Sequence, residues 1–323
     1  MWLPDALARF FFAPAPRTWS VVGRVGLGVV LFFAWFLYAP MLGDAYGPDG
    51  LWGARTLEHV STPLPPLGPL ESFAWLRSVR SFGLIVCLYV LLLLSALSFA
   101  AGFLTRTSGL TLALLHVLFV ARQPTAMWGW SLLVHAFVLY VVAADPGRAF
   151  SVDALLRQRR NGAPWRQPFR GPAWPLRLLQ IHLCCMYATA GYSRFDRPMW
   201  LEGDAVFEAL HHLTFGRFPF DLAPFMPVLV AMTYCAFVLE PAAVVLLWIR
   251  RTRTVVALLL VGLHVGLELL TTVGWWNFVM ILALCAFLPE RWLSALVFRS
   301  AEPRAIESPS RDMHETTASS RDP

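Results

Sequence analysis

Phe82-Gly83-Leu84-Ile85-Val86-Cys87-Leu88-Tyr89-Val90-Leu91-Leu92-Leu93-Leu94-Ser95-Ala96-Leu97-Ser98-Phe99-Ala100-Ala101-Gly102-Phe103 is a run of 22 residues without a single charge. About 20 apolar residues in a helix cross the hydrocarbon core of a bilayer, so this run reads as a membrane span. It reads as a helix because an open strand would leave its backbone polar groups unsatisfied in lipid. On either side, further apolar segments lie at about 20–42, 109–121, 128–143, 174–192, 225–248, 254–273 and 274–290. Those at 109–121 and 128–143 are short, which suits tilted helices or helices partly buried among neighbours. The expected fold is all-α: a polytopic transmembrane helix bundle of about eight spans with no large soluble domain.

Composition agrees. Of 323 residues, 57% are hydrophobic and 14% charged, with a mean hydropathy of +0.58. A soluble domain carries about a quarter of its residues as charges, so this chain could not cover a water-facing surface. The net charge of +6 does not mark a nucleic-acid partner. The positive residues sit in short loops between apolar runs, which is a topology signal, and membrane lipid is the partner expected. All 26 basic residues are Arg. With eight spans and both termini cytoplasmic, the cytoplasmic side holds 17 of them against 7 outside. The expected location is therefore a bacterial inner membrane, crossed many times.

Residues 1–17 form an N-terminal segment at the cytoplasmic interface, where Ala6–Phe12 lies flat. Asp5, Arg9 and three prolines argue against a cleavable signal there. Residues 18–292 are the transmembrane domain. Residues 293–323, rich in Ser, Arg, Glu and Pro, read as a disordered cytoplasmic tail. Two long connections, 44–81 and 193–224, fall on the outer face and are candidates for a lid or substrate mouth. The five Cys lie within apolar runs without CxxC spacing and read as core filler.

Ionisable groups inside spans are costly and mark candidate sites. Here they are His116, His135, His182, Glu240, His264 and Glu268, with Gln180, Tyr187, Tyr192, Tyr234 and Asn277 around them. His264 and Glu268 share a helix face one turn apart. Pro241 after Glu240 frees a carbonyl within its helix. Either these groups bond across helices and hold the bundle together, or they line a polar pocket. No metal is expected, since HxxxH and HExxH are absent and the His211–His212 pair lies in an outer connection. GxGxxG, Walker and GxSxG motifs are absent as well.

Four stretches in order resemble the vitamin K-dependent γ-carboxylase family, also called HTTM. They are Gly102-Phe103-Leu104-Thr105-Arg106; Phe150-Ser151-Val152-Asp153-Ala154-Leu155-Leu156; Ala190-Gly191-Tyr192-Ser193-Arg194-Phe195-Asp196 with Trp200 and Glu202-Gly203; and Leu263-His264 through Gly274, Trp276 and Phe278. The resemblance implies a membrane-embedded pocket that takes a quinol. In the family's carboxylases a lysine deprotonates reduced vitamin K, which reacts with oxygen to give the base that removes the γ-proton of a glutamate.

Two departures bear on that activity. The lysine position reads Arg194, and a guanidinium does not give up its proton in a protein. Where the carboxylases carry an Asn-His pair, this chain has Trp128-Gly129-Trp130. Three classes remain open. In the first, an enzyme uses His264, Glu268 and His182 as proton carriers, while Arg194, Tyr192, Asp196, Trp200 and Glu240 hold a vitamin K-like quinol or a peptide substrate. The second is a non-catalytic lipid- or peptide-binding protein, such as an immunity or sensor component, and the third a transporter. For Arg194 itself, an ion pair with Asp196 or Glu202 is the alternative to a ligand-binding role.

Overall fold

The computed structural model describes residues 5–51, 53, 75–122, 129–213, 215–217, 221–272 and 274–298, with the backbone alone at 129–132. The helices are α1 Asp5–Phe12, α2 Thr18–Phe36, α3 Leu42–Tyr46, α4 Phe82–Ala101, α5 Thr105–Arg122, α6 Gly129–Ala143 and α7 Val152–Asn161. They continue as α8 Trp174–Tyr192, α9 Pro198–Glu202, α10 Ala205–His211, α11 Met226–Leu246, α12 Arg253–Leu270, α13 Trp276–Leu284 and α14 Glu290–Phe298. The two strands, β1 Pro14–Pro16 and β2 Arg170–Pro172, pair antiparallel.

Each of the eight apolar segments falls on a helix, and the ends differ for local reasons. The first stops at Phe36 because Pro40 imposes a 3-10 turn over Ala39–Met41. The last reaches only Leu284, passes through a 3-10 turn and breaks at Leu288, whose extended backbone suits the residue before Pro289. The chain then re-enters a helix, so Trp276–Phe287 and Glu290–Phe298 form a pair bent by 115°. α14 thus runs past residue 293, where the tail was expected to begin: Leu293 and Phe298 pack inward and hold the turn. The rest of that tail, most of the 44–81 connection and Trp128 lie outside the described residues.

Among the described residues Thr18–Phe36, Phe82–Ala101, Ala223–Leu246 and Arg253–Leu270 are long and apolar enough to cross a membrane, and the bent pair is a broken span or a re-entrant loop. α5 and α8 match them in length but carry more polar residues, and α6 is shorter. The peripheral helices turn apolar side chains outward, among them Leu94, Val238, Leu259 and Leu269. Water gives no hydrophobic gain for packing helices within lipid, so close fit and polar contacts must bind them. Gly191 supplies one such fit: a Cβ there would stand 2.9 Å from the Pro241 ring, so α8 and α11 touch backbone to ring.

The end of the bundle nearest the N-terminus is locked by polar contacts. Asp153 accepts from the Leu104 and Thr105 amides at 2.9 and 2.8 Å and from the Thr105 hydroxyl at 2.6 Å, which caps the N-terminus of α5. Ser151 caps α7 by accepting from the Ala154 amide. Arg24, wholly buried in α2, donates to the carbonyls of Phe99, Ala100 and Phe150. Gly102, at φ +70°, ends α4 against it, where a Cβ would meet the guanidinium at 2.5 Å. Leu104 and Phe150 also take positive φ, 47° and 48°, a strained choice for such residues. The first two family-like stretches thus meet in one latch.

Candidate functional site

α8 ends where α11 crosses it, and the contact of Gly191 with Pro241 sets Glu240 level with the turn that follows Tyr192. Arg194 in that turn places Nη2 at 2.6 Å from Glu240 Oε2, and its Nη1 donates to the Ala236 carbonyl at 3.2 Å. The guanidinium also stacks on Trp200, 3.9 Å from the ring, and Trp200 in turn stacks on Phe237. The two charged side chains are 14% and 7% exposed. A carboxylate so buried needs a cation beside it. The ion-pair partner of Arg194 is therefore Glu240, which corrects the expectation of Asp196 or Glu202: both sit exposed on the turn and α9.

A second set of groups runs beside this pair. The Tyr187 hydroxyl lies 3.1 Å from His264 Nε2, and His264 Nδ1 lies 3.2 Å from Asn277 Oδ1. Asn277 Nδ2 donates to Glu268 Oε2 at 3.1 Å, and Arg217 approaches Glu268 Oε1 at 3.9 Å. An ionised carboxylate only accepts, so Asn277 turns its amino group to Glu268 and its oxygen to His264. His264 Nδ1 therefore carries the hydrogen, and the lone pair on Nε2 accepts from Tyr187. Tyr187 stands one turn of α8 before Gly191, whose contact with Pro241 brings Glu240 to the same crossing, so it joins the two sets. Such a line fixes the His264 ring between Asn277 and Tyr187, with Glu268 holding the Asn277 amide.

The structure thus gathers Arg194, Trp200 and Glu240, and next to them His264 and Glu268. It does not gather the rest. His182 stands apart on α8, 3.5 Å from the Tyr140 hydroxyl. Tyr192 is 76% exposed and Asp196 is exposed, because the helix has ended and both point away from the crossing. His116 and His135 form a third place, 2.8 Å apart beside Trp35. An open cleft of about 460 Å³ lined by Gly43, Asp44, Asp49, Leu51 and Phe82 shares no residue with the polar site. Among the described residues no three His, Cys, Asp or Glu side chains are grouped to hold a metal ion. Asn277, wholly buried, is the joint of the second set, and only its polarity within an apolar run marked it.

Apolar helices too long and too greasy for water, bound together by buried Arg, Glu, His and Asn, define a multi-pass α-helical membrane protein with a polar interior. The model of the HTTM domain matches residues 69–292, and the chain belongs to that family. No solved structure matches it.

Proposed function

We propose that this HTTM-family protein holds the headgroup of a quinone-type lipid where Tyr187, His264 and the Arg194–Glu240 pair converge, and that His264 exchanges a proton with it. The single observation behind the reading is the position of Tyr187, hydrogen-bonded to His264 one turn from the helix crossing that carries the Arg194–Glu240 pair. A buried ion pair offers a donor and an acceptor together: Arg194 suits a quinone oxygen, and Glu240 suits a quinol hydroxyl. With Nδ1 engaged by Asn277, His264 presents the Nε2 lone pair as the acceptor for that proton. Glutamate carboxylation by the family route is not part of the reading, because a guanidinium stands where the family's lysine base would and the chain has no Lys to replace it.

The proposed setting is a bacterial inner membrane crossed eight times with both termini in the cytoplasm, which rests on the distribution of Arg. The test is chemical: purify the full chain in a mild detergent, extract its lipids and compare quinone content with a His264→Gln, Tyr187→Phe variant. Quinone enriched in the wild type and lost in the variant is the expected result. Equal quinone in both would refute the reading.

A further inference from the structure

We propose a second binding site, for the phosphate of an anionic phospholipid, formed by Arg177, Arg250 and Arg253 at the end of the bundle that carries α1. Arg177 lies in the first turn of α8, Arg253 opens α12, and Arg250 sits in the turn between α11 and α12. Phe10 and Trp248 tie two of them together: Arg177 lies over the Phe10 ring, that ring lies 5.8 Å from Trp248, and Arg253 donates to the Trp248 carbonyl. Arg250 stands three residues before Arg253 in the turn closed by the Arg253 amide on the Ile249 carbonyl at 2.9 Å. Cations gathered at one helix end repel unless an anion lies among them.

No carboxylate of the described residues answers them. Asp145 is taken by Arg106 and Arg148, Asp153 by Leu104 and Thr105, and Glu290 by Thr18 and Ser294. Asp5, at the exposed start of α1, makes no ion pair among the described residues. The guanidinium groups of Arg177 and Arg253 are nonetheless fixed in place. Arg177 donates to the Phe10 carbonyl at 3.4 Å and to Gln180 Oε1 at 2.9 Å. Arg253 donates to the carbonyls of Leu247 and Trp248 at 2.9 and 3.2 Å. A guanidinium carries five N–H donors, so each keeps donors for a further acceptor. Arg159 and Arg160, exposed in the last turn of α7, make no such contacts among the described residues.

The surroundings select a lipid over a free phosphate. Arg177 covers the Phe10 ring at 4.6 Å, and Phe10 lies 5.8 Å from Trp248. Exposed apolar side chains flank the arginines: Leu7 and Phe12 on α1, then Ile249 and Val255. Arginines between helix ends with an apolar helix alongside suit a headgroup above its acyl chains. Nothing here depends on the quinone site.

The experiment uses the full chain in neutral detergent, with thermal melting followed as phosphatidylglycerol, phosphatidylcholine or inorganic phosphate is added. Phosphatidylglycerol should raise Tm in a saturable way that high salt suppresses, and the other two should not. Arg177→Gln with Arg253→Gln should weaken the effect by about 30-fold, the attraction of two arginines at a lipid surface, whereas Arg159→Gln with Arg160→Gln should leave it unchanged. If the first double variant does not fold, native mass spectrometry of the wild type decides, by preferential retention of phosphatidylglycerol over phosphatidylcholine. Equal stabilisation or retention of the two lipids overturns the site. Stabilisation by inorganic phosphate alone overturns the lipid assignment, and equal loss in both double variants overturns the residues named.

Discussion

Arg194 and Glu240 are joined at 2.6 Å across the crossing of α8 and α11, two helices that meet backbone to ring at Gly191 and Pro241. Removing one member strands the other in a place 14% or 7% open to the outside. Arg194→Ala and Glu240→Ala should therefore each cost about 3–5 kcal/mol, and the double replacement less than their sum. Unfolding of purified variants in mixed detergent measures this as a double-mutant cycle. Additive losses would show that the two groups do not depend on each other.

Asp153 holds together two stretches that lie about 50 residues apart in the sequence. Asp153→Ala leaves the Leu104 and Thr105 amides and the Thr105 hydroxyl without their acceptor. The expected loss is about 1–3 kcal/mol, set by those stranded donors. A Tm within error of the wild type would contradict the latch.

At the same end, Asp145 gives stability a dependence on pH. Burial alone raises its pKa, but the hydrogen bond from Arg148 and the charge of Arg106 outweigh that and hold the carboxyl below its ordinary value. A carboxyl depressed in the native state stabilises the fold above the unfolded pKa and loses that contribution as the pH falls through the folded one. Tm should fall as the pH drops from about 5 toward 3, and Asp145→Asn should make the acid limb shallower. Parallel wild-type and variant curves would exclude Asp145 as a source of the slope.

The topology is open to labelling. Gly47 and Gly216 are poor places for a reporter cysteine, because a Cβ would stand 2.4 Å from the Gly43 carbonyl and 2.2 Å from that of Leu210. Leu213 and Gln167 are exposed and serve better. An impermeant thiol reagent added to intact cells should mark Leu213→Cys and spare Gln167→Cys. Labelling of position 167 from outside would invert the proposed orientation.

The helices were legible because a charge-free run has one stable form in lipid, but the last segment was read through Pro289, where the helix breaks. The site was legible in part. His264 and Glu268 announced a shared face through their spacing, but the joint between them is Asn277, which only the packing of α13 on α12 reveals. Arg194 and Glu240 lie 46 residues apart, and their pairing follows from a helix crossing that no local pattern encodes. Arg24 escaped notice although it stands inside an apolar run: its partners are backbone carbonyls, and a search for matching carboxylates passes over such a group. Tyr192 and Asp196 were drawn in by nearness in sequence to Arg194, and the end of α8 turned them outward.

The central claim, a quinone headgroup between Tyr187, His264 and the Arg194–Glu240 pair, is tested most directly by photoaffinity labelling. The purified chain is irradiated with a photoreactive vitamin K analogue, with and without excess unlabelled quinone, and the modified peptides are mapped. The account predicts saturable, competable labelling on α8, α11 and α12 around Tyr187, Glu240 and His264. Competable labelling at the cleft of Gly43–Leu51 and Phe82 instead, or labelling that excess quinone does not reduce, would contradict it.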